Sequence, residues 1–286
     1  MARRDVIVVG AGIVGTSTAL QLARRGLAVA LVDRRGPGEE TSYGNAGVIG
    51  GAGVYPTAFP RDFWKIVQVA LKRAPEANYH FADLPRIAPW LWAYFRESSP
   101  QRLDTLAREL RPLMVRSVEE HDALAGEAGA TNLIRHNGWL TLYRTRRALN
   151  ALAPQFRLGE ELGVRAEVHD LAGTLALEPS LSPVFHSAVL WPDIATVSNP
   201  LSLTRAYAAL FARRGGVMLS GDARSLHRNG SGWRVDTAEG PIDAPNAVVA
   251  LGPWAPDLLE PMGIRVPFAV KRGYHRHYHP SGNAGL

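Results

Sequence analysis

The chain has 286 residues, 46% of them hydrophobic and 20% charged, with a net charge of +6 and no cysteine. That length gives room for one large domain or two interleaved ones. The lack of cysteine excludes disulfides, thiolate metal sites, a cysteine nucleophile and any cofactor tethered through sulfur. The positive charge lies in scattered pairs such as Arg24–Arg25, Arg146–Arg147 and Arg213–Arg214. No recognition motif accompanies it, so no nucleic-acid partner is expected. Arg3 and Arg4 precede an apolar run, but Asp5 and early glycines break the pattern of a signal peptide. No stretch reaches the roughly 18 uninterrupted apolar residues of a membrane span, so the protein is expected to be soluble or peripheral.

Val6, Ile7, Val8 and Val9 form a continuous β-branched run, the mark of a strand covered on both faces in a parallel sheet. The sequence Gly10-Ala-Gly12-Ile13-Val14-Gly15 follows. Its first glycine suits a tight turn, the second lets a pyrophosphate approach the backbone, and the third lets helix pack closely on strand. The pattern predicts a helix from Ile13 to Arg25, with Ala19, Leu20, Leu22 and Ala23 for packing and Gly26 at its end. Its N-terminal amides would then face phosphates. Ala28 to Val32 predict a second buried strand that ends in Asp33, eighteen residues past Gly15, where a ribose-binding carboxylate belongs. Asp33 argues against a 2′-phosphate. Arg34 and Arg35 would either welcome one or stack near an adenine, and the stacking role is preferred.

A nicotinamide fold usually goes on with an ordinary helix and strand. Here the chain gives GPGEETSYGNAGVIGGAGV, with glycines at 36, 38, 44, 47, 50, 51 and 53. So many glycines do not build element interiors, but they do bring backbone against a large flat ligand. A surface loop is the alternative, although Val48, Ile49 and Val54 speak against simple exposure.

Together, DVIVVGAGIVGTSTALQLARRG, LVDRR and TSYGNAGVI resemble the D-amino acid oxidase and dehydrogenase superfamily of FAD-dependent oxidoreductases. Thr41 to Gly47 most resemble the bacterial D-amino acid dehydrogenases. The resemblance implies non-covalent FAD and oxidation of D-amino acids to imino acids, which hydrolyse to keto acids and ammonia. It implies electron transfer to a quinone-linked membrane acceptor. It also implies that Gly10, Gly12 and Gly15, with Ile13 and Val14 between them, cradle the pyrophosphate and that Asp33 holds the ribose. Ser42, Asn45, Ala46 and Gly47 would lie along pyrophosphate and flavin.

Later segments extend the match. Leu84 to Ser99 (LPRIAPWLWAYFRESS) resemble the aromatic helix after the flavin loop, with Pro85 and Pro89 expected to limit regular helix to the residues after them. Trp90, Trp92, Tyr94 and Phe95 between Arg86 and Arg96 offer a peripheral membrane contact or a helix between domains. NGWLTLYRT (137–145) reads as a strand of a substrate sheet. Asn199-Pro200 starts a helix with Leu203, Tyr207, Leu210 and Phe211 on its apolar face, ended by Gly215 and Gly216. Val217 to Leu219 and Ala247 to Leu251 read as further buried strands. Between them, turns at Asn229-Gly230 and Glu239-Gly240 mark a three-stranded meander. By the resemblance, Ala223 would lie beside the adenine and Gly252 beneath the cofactor, although Leu251 departs from the usual residue before that glycine.

The expected architecture is α/β, a Rossmann-like FAD-binding domain interleaved with an α+β substrate domain on a mostly antiparallel sheet. Residues 1–53 and 199–255 would form the FAD-binding domain, 54–198 the helical segment and substrate domain, and 256–286 the start of returning substrate strands. Against the family, the chain reads as C-terminally incomplete, lacking an arginine for the substrate carboxylate and a closing glycine-rich segment. Tyr274 and Arg272 are the candidates for substrate contact; a solvated strand face shared with His275, His277 and His279 is the alternative. No metal site is expected. The rival functions are a glycine- or sarcosine-type amine oxidase and a non-catalytic FAD-binding remnant. The expected location is the cytoplasm, with peripheral attachment to the cytoplasmic face of the inner membrane.

Overall fold

A computed structural model describes residues 4–50, 55–73, 79–270 and 273–275. The strand β1 (Val6–Val9) leads through the glycine turn into α1 (Ile13–Arg24) and back into β2 (Val29–Asp33). Every residue of β1 and the first four of β2 are buried, as the unbroken β-branched runs require. Gly26 takes the left-handed conformation just past α1, with φ +82°, and so stops the helix.

After β3 (Val48–Ile49) come four helices: α2 (Phe63–Ala70), α3 (Leu84–Glu97), α4 (Pro100–Met114) and α5 (Ser117–Ala128). Next are β4 (Ile134–Arg135), β5 (Trp139–Tyr143), α6 (Arg146–Asn150), α7 (Ala153–Glu161), β6 (Glu167–Asp170), α8 (Leu171–Leu177), β7 (Ser187–Trp191) and β8 (Ala195–Val197). The chain returns through α9 (Pro200–Arg213) and β9 (Val217–Ser220), the meander β10 (His227–Asn229), β11 (Gly232–Val235) and β12 (Ile242–Ala244), then β13 (Asn246–Val249) and α10 (Ala255–Leu259).

The parallel sheet has the order β13-β1-β2-β9. Alternate residues of its central strands face opposite layers. Val6, Val8, Val29 and Leu31 meet α1, α5 and α9 through Leu20, Leu124, Leu203, Tyr207 and Phe211. Ile7, Val9, Ala30 and Val32 meet the meander and α10 through Leu226, Val235, Ile242 and Leu258. Each fully buried Val or Ile contributes about 1.5–3 kcal/mol. All four residues predicted for the apolar face of α9 are buried, and the Asn199 side chain caps that helix by accepting from the Ser202 N–H at 3.0 Å. Tyr207 also ties α9 to α5: its hydroxyl lies 3.0 Å from both Nδ1 and the carbonyl oxygen of His121. Burial pushes the Tyr207 phenol up and the His121 imidazole down.

Two smaller antiparallel sheets, β3-β8-β4 and β5-β7-β6, account for the antiparallel part of the expected architecture. The meander is antiparallel in the order β10-β11-β12, with turns at the two predicted dipeptides.

Two expectations are corrected. The flanking strands β9 and β13 are not buried runs: their residues are half-buried or exposed. Among the described residues each pairs with one neighbour, so the layers above and below cover the central pair more fully. Helix α3 does not wait for Pro89 but runs through it, with Pro85 in its first turn. Pro85 sits where helical N–H groups lack partners anyway, and Pro89, one turn on, removes a single backbone bond. The predicted strand Arg276 to His279 lies outside the described residues.

Candidate dinucleotide-binding site

The turn from β1 to α1 is held from below. Gly10, at φ +103°, donates its N–H to the Val32 carbonyl at 2.8 Å. A Cβ on Gly15 would stand 1.8 Å from the Gly10 carbonyl oxygen, so only glycine lets α1 lie this close to the strand. Gly12, the N-cap of α1, is different. A Cβ there would meet, among the described residues, only the Ser42 hydroxyl, at 3.4 Å. The start of the helix has no acidic residue in its first turn, which leaves the positive end of its dipole for an anion. Val14 stands 66% exposed beside it.

Ser42 is buried, and its hydroxyl accepts the Ile13 N–H at 2.8 Å. The glycine-rich loop is thereby fastened to the start of α1. Asn45 shapes the same loop: its Oδ1 accepts the Gly47 N–H at 2.8 Å and its Nδ2 donates to the Ser42 carbonyl at 3.1 Å. Ala46 is exposed. Gly47, at φ +65°, is buried against Val197, whose N–H donates to the Gly47 carbonyl at 2.6 Å.

Asp33 ends β2 at the mouth of the turn. Its Oδ2 accepts the Ala11 N–H at 2.6 Å and its Oδ1 the Arg35 N–H at 2.9 Å, so the carboxylate is aimed by the backbone around the glycines. Arg34 lies 5.0 Å over the Trp254 ring and pairs with Glu40 at 2.9 Å, and Arg35 approaches the same carboxylate at 3.2 Å. Glu40 therefore answers the two cations that would otherwise attract a 2′-phosphate. Ala223 opens a short 3-10 turn after β9 and is half-buried against the meander side. Gly252, at φ +54°, begins the turn Gly252–Trp254 and is exposed.

Ser42 thus ties Asn45 and Gly47 to Ile13 at the start of α1, while Asp33 and Glu40 tie Arg34 and Arg35 to the glycine turn. Tyr274 stands apart, 92% exposed, while its neighbour His275 meets the Tyr43 ring edge-on at 5.6 Å. Arg272, His277 and His279 lie outside the described residues. No metal-binding cluster occurs among the described residues. Sequence reasoning missed Glu40 and Trp254; the latter sits in the LGPW stretch two residues after Gly252, and that adjacency was the available signal.

A strand, a glycine turn, a helix and a terminal acid in this arrangement are those of a dinucleotide-binding fold, and the chain belongs to the FAD dependent oxidoreductase family, whose model matches residues 5–285. The cradle fits FAD: open approach at Gly12, an uncompensated helix start and an aimed Asp33. Two relatives carry more specific names. The D-amino acid dehydrogenase of Methylobacterium nodulans is 33% identical over 283 residues, covering 94% of this chain and 65% of the relative. The D-amino-acid oxidase of Bradyrhizobium diazoefficiens is 30% identical over 277 residues, covering 95% and 65%. The chain therefore spans about 65% of the length of these curated relatives. In fold it is similar to glycine oxidase from Geobacillus kaustophilus, with a TM-score of 0.64 at 21% identity over 93% of this chain and 60% of that one.

Proposed function

We propose that this chain belongs to an FAD-dependent dehydrogenase that oxidises the CH–NH2 group of D-amino acids to imino acids, which hydrolyse to keto acids and ammonia. One observation carries this reading: similarity to a protein named D-amino acid dehydrogenase runs through 94% of the chain. In it, Gly10, Gly12, Ile13, Val14 and Gly15 surround the pyrophosphate and Asp33 accepts from the ribose hydroxyls. Ser42, Asn45, Ala46 and Gly47 present the loop backbone to the flavin. Ala223 borders the adenine end and Gly252 underlies the cofactor. Residues 1–53 and 199–255 form the FAD-binding domain, 54–198 and 256–286 the substrate side.

FAD supplies the hydride acceptor for the substrate Cα. The chain's part is to orient that acceptor and keep water away, and no side-chain base is needed when the amine arrives neutral. Tyr274 and Arg272 are placed in this proposal as substrate contacts. Electrons pass to a membrane acceptor from a protein in the cytoplasm. A second reading, with oxygen as acceptor, is favoured by the relative named D-amino-acid oxidase.

Anaerobic addition of D-alanine to the yellow protein tests the reaction. Only slow, incomplete bleaching by D-alanine and none by L-alanine is expected of this chain; bleaching by both alike, or by neither even on prolonged incubation, would overturn it. Admitting air or a quinone analogue to the bleached sample then separates the two acceptors by the rate at which colour returns.

A further inference from the structure

Helix α2 leaves an apolar arc uncovered by the described residues. Ile66, Val67 and Val69 are half-buried, yet Phe63 and Trp64 are 68% and 71% exposed, and Leu71 at the helix end is 56% exposed. At 100° per residue, Phe63, Val67, Leu71 and Trp64 fall within an arc of about 100°, with Gln68 and Lys65 along one border. Between Phe59 and Arg73 the chain carries Arg61, Lys65, Lys72 and Arg73 against a single acid, Asp62. Asp62 caps α2 by accepting the Lys65 N–H at 2.8 Å.

A second observation concerns the end of this helix. Lys72 has φ +56° and is the one non-glycine residue with positive φ among those described. Its N–H donates to the Val69 carbonyl at 2.9 Å and that of Arg73 to the Gln68 carbonyl at 2.8 Å, closing α2 in a turn that glycine would adopt without strain. The lysine is kept there by aromatic rings: its Nζ lies 4.6 Å over Phe81 and 5.4 Å over Tyr79. Tyr79 in turn donates its hydroxyl to the Ala70 carbonyl at 2.7 Å. Phe81 itself is 60% exposed. A cation is thus fixed among exposed aromatics at the end of an apolar arc.

We propose that α2 and the Lys72–Arg73 turn form the surface by which this protein seats on an anionic phospholipid bilayer. Phe63, Trp64 and Leu71 enter the boundary between headgroups and acyl chains, and Lys72 and Arg73 meet the lipid phosphates. The helix is eight residues long, far short of a span, so it lies in the interface. Helix α3 is the poorer membrane element. Its Trp92 is 63% exposed, but Leu84, Ile87, Trp90, Leu91, Tyr94 and Phe95 are half-buried, with Phe59 packed edge-on against Tyr94 and Phe95. A second copy of the chain is disfavoured as occupant, because a two-fold pairing would bring the same cations face to face. Such a seat gives a place to the membrane acceptor of the proposed function and rests on that reading for its purpose, but its chemistry stands on α2 alone.

The test is flotation of the flavin-loaded full chain with vesicles of phosphatidylcholine, with and without phosphatidylglycerol. Binding to the anionic vesicles only is expected. Trp64→Ser/Leu71→Ser should weaken it at least tenfold, and Lys72→Gln/Arg73→Gln about thirtyfold, from roughly fivefold per charge. Val184→Ser, at an exposed apolar residue elsewhere, should change nothing. Circular dichroism and flavin content establish that each variant folds. Equal flotation of all variants, no flotation of the wild type, or a dimer that Trp64→Ser/Leu71→Ser dissolves without any lipid binding would each overturn the proposal. D-alanine bleaching of the same variants should be unchanged, so a failure of docking and a failure of the proposed reaction show in different measurements.

Discussion

Replacing Gly15 by alanine separates packing from helix propensity. In an exposed helix the change would stabilise by about 1 kcal/mol. Here the new Cβ would lie 1.8 Å from the Gly10 carbonyl oxygen and 3.1 Å from the Ala250 Cβ, where real Cβ atoms do not come within 3.0 Å of a neighbour. The obstruction is backbone, and Gly10 is pinned by its bond to Val32, so α1 must lift from β1 by roughly 1 Å or more. Overpacking of this kind costs about 1–3 kcal/mol and occasionally more, and a rigid obstacle puts this site at the upper end. The net effect is a destabilisation of about 2 kcal/mol, or a fall in Tm of roughly 4–8 °C for a chain of this size. Thermal unfolding of the flavin-free protein measures it without interference from cofactor affinity. A Tm equal to or above that of the wild type would show that helix and strand are not in contact here, and the account of the cradle would fail.

Gly12→Val should behave in the opposite way, keeping the circular dichroism spectrum while losing bound flavin, because its side chain would fill the approach to the start of α1; full flavin occupancy would refute this. Acid precipitation should release all yellow colour into the supernatant, since the chain has no cysteine and no histidine before His80; colour left in the pellet would mean a covalent link. The pH dependence of stability should carry a contribution from His121, whose imidazole is held below its ordinary value chiefly by burial. Its folded state binds the proton less readily than the unfolded state, so stability is full above about pH 6.5 and falls as pH drops through that value toward the folded pKa. Thermal melts between pH 7.5 and 5 should show a shallower decline for His121→Gln than for the wild type.

The first 50 residues were the most legible part of the chain because local rules governed each step. A β-branched run, three spaced glycines and a terminal acid leave few structures open. The α9 face was equally clear, since Leu203, Tyr207, Leu210 and Phe211 repeat at helical spacing and all are buried. Edge status was not legible: Val217–Leu219 and Ala247–Leu251 look as apolar as the central strands, and only pairing decides how many neighbours a strand has. Nor was the fate of Arg34. Its tie to Glu40 is a six-residue contact, but the stacking on Trp254 joins residues 220 positions apart, and nothing in either local sequence announces it. The spread of α2 was missed for another reason. Its apolar residues look like core, and exposure depends on what packs against them.

The glycines of the site divide into two kinds that one motif conceals. Gly10, Gly15 and Gly47 are glycines because the protein itself fills the space a side chain would need, through the backbone of Ala250, Gly10 and Val197. Gly38 belongs with them, since a Cβ there would come within 2.9 Å of Thr204 on α9. Gly12 has no such neighbour, and its Cβ would meet one hydroxyl at ordinary distance. The contacts that constrain Gly10, Gly38 and Gly47 come from residues 195–250, a segment of the chain remote from the loop they shape. The phosphate turn is therefore written in the first segment but held in place by the second, which returns as β8, α9 and β13 to close against it. Interleaving arises from this need. The loop must stay open toward a flat ligand on one side, so its support has to arrive from elsewhere in the chain on the other.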